Sequence, residues 1–102
     1  MYYTYMIRCT DNSIYTGITN DVEKRFKKHI NGDGAKYTKS HKVEKIVALW
    51  RSKDKSLASK LEYNIKQLTK KQKEDLVINN QLKVYFKGII DCRRYYRIQN
   101  FE

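Results

Sequence analysis

The apolar run IVALW at residues 46–50 is the feature that most constrains the fold of this chain. Its length is that of a strand, and the absence of polar positions within it predicts a strand buried on both faces in the middle of a small sheet. A chain of 102 residues has room for about one domain around such a strand. The sequence therefore predicts one core with a shallow surface site.

Two further strands are predicted at the start of the chain. The segment YYTYMIRC at residues 2–9 is rich in aromatic and β-branched residues, and turn-favouring residues follow it at positions 10–13. A second segment of this kind at residues 14–19 completes a predicted hairpin. Gly17 interrupts its second strand, and a glycine inside a strand usually marks a bulge or a close approach of the backbone to another group.

Three helices follow from apolar spacing and capping patterns. The first is predicted over residues 21–30, with Asn20 and Glu23 resembling a capping box. The second covers residues 55–68, and Thr69 with Gln72 starts a third that ends near Val77. A basic, glycine-containing loop covers residues 32–42, and residues 82–101 predict one or two strands. Together these elements predict an α/β fold, a small antiparallel three-stranded sheet flanked by helices, with an extra C-terminal strand or hairpin.

No proline, repeat or low-complexity stretch indicates a linker between domains. Residues 1–80 are therefore predicted to form the main domain, and residues 81–102 a C-terminal extension packed on it. The chain has no run of about 18 apolar residues and no start typical of a signal peptide, which predicts a cytoplasmic protein. A monomer is expected. Cys9 and Cys92 lie far apart without neighbouring Cys or paired His, so two free thiols are expected rather than a zinc site.

The charge of the chain indicates an anionic partner. Lys and Arg number 22 against 11 Asp and Glu, a formal net charge of +11. Such an imbalance causes self-repulsion unless an anion offsets it, and nucleic acid is the favoured partner. A lysine-rich surface kept for solubility is an alternative, but it usually carries nearly balanced acidic residues. Binding to acidic lipid is less favoured, because the charges are spread along the whole chain.

Tyrosine, arginine and histidine side chains are predicted to meet beside the hairpin. Tyr5 and Tyr15 lie on adjacent strands, and Arg25 and His29, about 40° apart around the first helix, project together at the edge between core and solvent. Glu62 borders the apolar face of the second helix. Hydrolytic phosphoryl transfer needs a proton acceptor, a cation for the phosphate and a carboxylate for a metal. Each residue also has an ordinary structural explanation, such as a core tyrosine or a glutamate paired with lysine.

These residues resemble the GIY-YIG nuclease superfamily, in particular its small stand-alone bacterial members, over residues 2–77. The family's first triplet corresponds to residues 3–5, YTY, and its second to residues 15–17, YTG. Residues 21–29, DVEKRFKKH, match the family's helix with its Arg and His. The stretch GAKYT at residues 34–38 looks like the loop of the stand-alone branch, and Glu62 within residues 58–66, ASKLEYNIK, matches the metal-ligand helix.

The resemblance implies metal-dependent, endonuclease-like hydrolysis of phosphodiesters in DNA, with RNA as the alternative substrate and little sequence specificity. It implies that Tyr5 or Tyr15 orients or deprotonates the attacking water and that Arg25 contacts the scissile phosphate. His29 would assist proton movement, and Glu62 would hold one Mg²⁺ or Mn²⁺. No nucleotide cofactor is expected.

Basic residues surround the proposed site in sequence, and such charges hold phosphates without reading bases. They are Lys24, Lys27, Lys28, Lys36, Lys39 and Lys42. Tyr37 is expected to stack on a splayed base. The alternative function is a catalytically inactive nucleic-acid-binding module of the same fold. The presence together of the candidate tyrosines, Arg25, His29 and Glu62 favours activity, because a binding module would need none of them.

Overall fold

The computed structural model describes residues 1–34 and 36–99, apart from the side chains of Thr38 and Lys39. Its elements, in chain order, are β1 (Tyr2–Cys9), β2 (Ile14–Thr19), α1 (Val22–Ile30), α2 (Lys36–Ser40), β3 (Val43–Ser52), α3 (Lys55–Lys66), α4 (Lys70–Asn79), α5 (Leu82–Phe86), a 3-10 turn (Cys92–Arg94) and β4 (Tyr96–Arg97).

The strands form an antiparallel sheet in the order β2-β1-β3-β4. Three long strands with a short fourth one confirm the predicted α/β fold and its extra C-terminal strand. The run at residues 46–50 lies in β3, between β1 and β4. Ala48 and Trp50 belong to the apolar cluster on one face of the sheet and Leu49 to the cluster on the other, so this strand is buried on both faces as predicted.

Alternation along β1 assigns its side chains to two different cores. Met6 packs on one face with residues of α3, α4 and α5. Tyr5, Ile7 and Cys9 pack on the other face, where Val22 and Phe26 of α1 cover them. The sheet is therefore a middle layer between two sets of helices, and Tyr5 lies beneath α1.

The start of α1 differs from the predicted capping box. Asp21, not Asn20, is the N-cap, and its side chain accepts a hydrogen bond of 3.1 Å from the backbone N–H of Lys24. The hydroxyl of Thr19 accepts from the Asp21 backbone N–H at 3.0 Å, which holds the cap at the end of β2. An Asp is as good a cap as an Asn, so the sequence pattern alone could not separate the two positions.

The later helices agree with the prediction in type and differ at their ends. The capping box of Thr69 and Gln72 is confirmed by reciprocal side-chain hydrogen bonds of 2.9 and 3.1 Å. Helix α3 ends at Lys66 rather than at residue 68. Helix α4 continues to Asn79 rather than ending near Val77, and Asn80 closes it with a positive φ of 53°.

Two predicted irregular or extended segments contain helices instead. Residues 36–40 of the predicted basic loop form α2, and the LKVYF segment predicted as a strand forms α5. Leu82 and Phe86, four positions apart, are both buried in the core, which a helical turn allows because it places them on one face. Only Tyr96–Arg97 is a strand in the described part of residues 82–101. Residues 100 and 101 of that prediction lie outside the described residues.

The residues after α4 pack on the same core as the sheet. Leu82, Phe86, Ile90 and Tyr95 belong to the cluster that contains Trp50. The Tyr95 hydroxyl donates to the carbonyl of Leu57 at 2.6 Å. Within the described residues, no helix has the length and apolarity needed to cross a membrane, and Cys9 and Cys92 are free thiols.

A two-pronged ion pair joins β1 to α4. The Arg8 guanidinium donates from Nη1 and Nη2 to the two carboxylate oxygens of Glu74, at 2.5 and 2.6 Å. Lys70 also donates to Glu74, at 2.6 Å. These contacts lower the pKa of Glu74 from 4.5 to about 2, chiefly through the hydrogen bond from Arg8.

We expect Glu74→Gln to lower the free energy of unfolding by about 1–2 kcal/mol at neutral pH, because it removes one partner of a partly buried charged pair. In the wild type the contribution is complete above pH 4.5 and is lost as the pH falls towards about 2, so the variant should lack this part of the acid dependence. Urea unfolding between pH 7 and pH 3 measures both effects. Glu23→Gln, which breaks the exposed pair with Lys27, is the matched control, and an equal loss in the two variants would contradict the assignment.

Candidate active site

The hydroxyl of Tyr5 is the point at which three of the predicted site residues meet. Tyr5 Oη lies 2.8 Å from His29 Nε2, and Arg25 Nε donates to the same oxygen at 3.4 Å. Tyr5 is 2% exposed and His29 is 1% exposed. Arg25 and His29 thus project together from α1, but His29 is enclosed in the protein rather than at the solvent edge where the sequence placed it.

Two glycine backbones enclose the Tyr5–His29 pair. Gly17 of β2 lies opposite Tyr5 in the register of the sheet, and a Cβ there would lie 2.5 Å from Tyr5 Oη. Gly34 lies against the other partner, since a Cβ there would collide with His29 Nδ1. The close approach expected at Gly17 is therefore made by the Tyr5 side chain. Gly34 was not singled out from the sequence, where its only mark is its place in the GAKYT stretch.

Both partners of this hydrogen bond are uncharged near neutral pH. Burial and, to a lesser extent, the nearby Arg25 charge lower the pKa of His29 to about 4. Burial raises the pKa of Tyr5 to about 12, although the hydrogen bond from Arg25 acts in the opposite direction. Arg25 can only donate, so the Tyr5 oxygen accepts from it. In the tautomer of His29 that carries its proton on Nδ1, the Tyr5 O–H donates to Nε2. The phenol therefore has a proton acceptor on one side and a cation on another.

Tyr15 is the more accessible of the two candidate tyrosines. It is half-buried, and its ring centroid lies 6.3 Å from that of Tyr5 and 5.4 Å from that of His29. Tyr37 of α2 stacks on Tyr15 with centroids 5.6 Å apart, and His41 stacks on Tyr37 at 4.1 Å. The ring of Tyr37 thus lies within a stack of the protein's own aromatic side chains. Sequence reasoning missed His41, although it lies in the predicted basic loop four residues after Tyr37.

Glu62 of α3 lies within electrostatic range of Tyr5. Its carboxylate is 23% exposed and pairs with Lys66 Nζ at 3.3 Å. Its charge contributes to the raised pKa of Tyr5, and Lys66 Nζ also lies 5.9 Å from the centre of the Tyr15 ring. Glu62 is therefore close to the tyrosines, and it has the lysine partner that the structural explanation anticipated.

The lysines expected to contact nucleic acid lie on the surface around this cluster. The exposed ones in the described residues are Lys24, Lys27, Lys28, Lys36 and Lys42. Lys27 pairs with Glu23 at 3.3 Å. The Lys39 side chain lies outside the described atoms.

Comparison with known proteins identifies the family of the chain. Residues 1–75 match the family model described as the GIY-YIG catalytic domain. The chain is 50% identical over 76 residues to the UPF0213 protein FN1575 of Fusobacterium nucleatum, covering 74% of this chain and 76% of that protein. It is 45% identical over 80 residues to the UPF0213 protein YhbQ of Salmonella typhimurium, covering 78% and 80%.

A solved structure is also similar in sequence. The solution NMR structure of the UPF0213 protein BH0048 from Bacillus halodurans is 43% identical, covers 76% of this chain and 83% of that one, and superposes with a TM-score of 0.47. The family model spans most of this chain, and the UPF0213 relatives match it over about three quarters of its length. The chain therefore belongs to the GIY-YIG family and, within it, is related to the small UPF0213 proteins.

Proposed function

We propose that this chain is a divalent-metal-dependent endonuclease that hydrolyses phosphodiester bonds in DNA, with RNA as the alternative substrate and little sequence specificity. The observation that carries the proposal is the 2.8 Å hydrogen bond between Tyr5 and a neutral His29 beside Arg25. A phenol alone is a poor base at neutral pH because it holds its proton. A phenol that passes its own proton to an acceptor behind it can take one from water in the same step.

In the proposed reaction, the attacking water binds beside Tyr15, the more accessible tyrosine, and passes its proton inward to the buried Tyr5 Oη while the Tyr5 proton moves to His29 Nε2. The water oxygen then forms the bond to phosphorus, and the bond to the leaving oxygen breaks. Arg25 offsets the negative charge that develops at the phenol and the phosphate. Because the pKa of His29 is only about 4, the imidazolium forms transiently and gives up its proton, which ends on the leaving oxygen. Tyr15, which is half-buried, orients the water and faces the substrate.

Glu62 is the residue that would hold Mg²⁺ or Mn²⁺. Its carboxylate forms an ion pair with Lys66 Nζ, so this position stabilises a positive charge. The described residues contain no group of three or more His, Cys, Asp and Glu side chains placed to hold a metal. This donor set fits a magnesium-like ion that keeps several waters and is bound by one carboxylate and by substrate phosphate, and it does not fit zinc. Such an ion would stabilise the charge that develops on the phosphate.

The substrate class follows from charge and family together. Membership of the GIY-YIG family supports a nucleic-acid substrate. The net charge of +11 and the exposed lysines of α1 supply phosphate contacts that carry little base information. Tyr37 is already stacked on Tyr15 and His41. We therefore propose that its first role is to support the site, and that stacking on a base is secondary.

We expect Glu62→Gln to abolish metal-dependent cleavage while DNA binding stays equal or becomes slightly tighter, because a negative charge near the phosphate is removed and the basic surface remains. Nicking of plasmid, branched and single-stranded substrates with Mg²⁺ or Mn²⁺ against EDTA measures cleavage, and fluorescence anisotropy measures binding. Glu44→Gln makes the same chemical change at an exposed position of β3 and should cleave at the wild-type rate.

Cleavage by Glu62→Gln at the wild-type rate would exclude Glu62 as the metal ligand. A wild-type protein that binds DNA but cleaves none of these substrates would instead show an inactive binding module. Thermal melting of the same preparations separates a lost ligand from a lost fold.

The neutral state of His29 makes a separate prediction about stability. Its pKa is about 4 in the folded chain against an ordinary value of 6.5, so the unfolded chain binds a proton first as the pH falls. The unfolding free energy should therefore decrease below pH 6.5, by roughly 2 kcal/mol on reaching pH 5. His29→Gln retains an amide near the Nε2 position and should lack this slope. Denaturant titrations of both proteins between pH 7 and pH 5 measure the unfolding free energy at each pH. The same dependence on pH in the two proteins would show that His29 is not held neutral.

We expect charge reversal of Lys27 and Lys28 to Glu to weaken binding to a similar extent on unrelated sequences, because phosphate contacts carry little sequence information. The slope of log K against log salt should become shallower by about 2 if each lysine neutralises one phosphate. Reversal of Lys83 on α5 and of Lys87, the residue that follows this helix, makes the same change in net charge on another element and should have the smaller effect. Equal weakening by the two pairs would remove α1 from the binding surface.

A further inference from the structure

The turn between β1 and β2 is connected to the candidate site through His41. Asp11 Oδ2 lies 2.6 Å from His41 Nδ1, although the two residues are 30 positions apart. The same Asp11 side chain accepts from the backbone N–H and the hydroxyl of Ser13, at 3.0 and 2.6 Å. The hydrogen bonds from Ser13 therefore hold the Asp11 carboxylate in the position where it contacts the imidazole.

The His41 ring passes this constraint to the tyrosines. It lies on the Tyr37 ring with centroids 4.1 Å apart and planes inclined by 13°. Tyr37 stacks in turn on Tyr15, with centroids 5.6 Å apart and planes inclined by 25°. Tyr15 is next to His29, at 5.4 Å. A continuous series of contacts therefore leads from Asp11 to the residues proposed to move the proton.

Local backbone geometry explains why His41 meets Tyr37. The His41 N–H donates to the Tyr37 carbonyl at 3.0 Å, which extends the helical turn of α2 by one hydrogen bond. Residues four apart on such a turn share a face, so the two rings lie one above the other. The segment is also tied to the hairpin by a hydrogen bond of 2.8 Å from the Thr10 N–H to the Lys42 carbonyl.

Tyr15 also lies beside the rings of Tyr5 and His29, and Tyr37 adds a stacked ring to these contacts. Tyr15 is half-buried, and its side chain extends from a strand at the edge of the sheet. A ring in that position keeps one orientation only when packing limits its rotation, and Tyr37 supplies that packing on one side. Tyr37 is itself carried by α2, a helix of 5 residues. The Asp11–His41 contact is what fixes its outer end.

We propose that Asp11 and His41 are positioning residues for the reaction. They hold Tyr37 against Tyr15, and so keep Tyr15 beside Tyr5 and His29 in the orientation that the attacking water needs. This inference rests on the proposed nuclease function. Neither Asp11 nor His41 contacts the substrate in this role, so the loss of either should lower kcat and leave KM nearly unchanged.

Two substitutions separate the contacts of His41. His41→Asn keeps an amide N–H near the position of Nδ1 and can still donate to Asp11, but it has no ring to stack. His41→Phe keeps a stacking ring and cannot donate to Asp11. Asp11→Ala removes the hydrogen bond from the other side, and Asp33→Ala, at an exposed position just after α1, is the matched control.

Cleavage kinetics and the NMR resonances of the Tyr15 and Tyr37 ring protons are measured for each variant. We expect His41→Asn to lower kcat by roughly tenfold or more and to move the Tyr37 resonances, because the shielding by the imidazole is lost. Asp11→Ala and His41→Phe should each lower kcat by a smaller factor, and the double variant should lose no more than either single one, since both remove the same hydrogen bond. Asp33→Ala should match the wild type.

Unchanged kcat in His41→Asn together with moved Tyr37 resonances would overturn the proposal, because the stack would then be structural only. Unchanged Tyr37 resonances in that variant would also overturn it, since the stack would be absent. If the wild-type protein cleaves nothing, the proposed function fails, and the Tyr15 resonances decide the positioning claim alone. Their movement in His41→Asn would support it, and their constancy would refute it.

Discussion

The hydrogen bond between Tyr5 and His29 is formed almost out of contact with water, and the surrounding structure is arranged to make that possible. The phenol lies on the face of β1 that α1 covers, and glycines at positions 17 and 34 leave room on both sides of the pair. Burial of two polar groups is tolerable because each satisfies the other. The same burial keeps both groups neutral, so the packing of the protein also sets its proton chemistry.

The second core, on the far side of the sheet, supplies rigidity without taking part in the chemistry. Trp50, Leu61 and Phe86 fill it, and the residues after α4 close it. Helix α3 connects the two sides, because its Leu61 packs in that core while the adjacent Glu62 borders the tyrosines. The candidate metal ligand is therefore carried by an element whose position is determined by the apolar core.

Local patterns predicted most of this fold, and contacts between distant residues account for what they missed. The hairpin, the buried run in β3 and the pairing of Arg25 with His29 on α1 each follow from spacing over a few residues. The LKVYF segment fits a strand and a helical turn equally well at that range, and burial of Leu82 with Phe86 selects the helix. The enclosure of His29 depends on how the chain after α1 brings Gly34 against its ring, and the hydrogen bond of His41 joins it to Asp11, 30 positions away, so neither follows from helix or strand spacing.

The contacts of Arg97 differ from those of Glu74 and His29 in their dependence on pH. Its guanidinium is held by the carbonyls of Val47 and Val77 and by the side-chain oxygen of Asn80, at 3.1 to 3.3 Å. Backbone carbonyls and a side-chain amide do not titrate. Burial lowers the pKa of Arg97, but the ordinary pKa of arginine is so high that the side chain stays charged. Acid therefore weakens the ion pair between Arg8 and Glu74 and the packing around a neutral His29. The hydrogen bonds of Arg97 in β4 are unaffected. Of these three places, the C-terminal edge of the sheet is the one whose hydrogen bonds do not depend on pH.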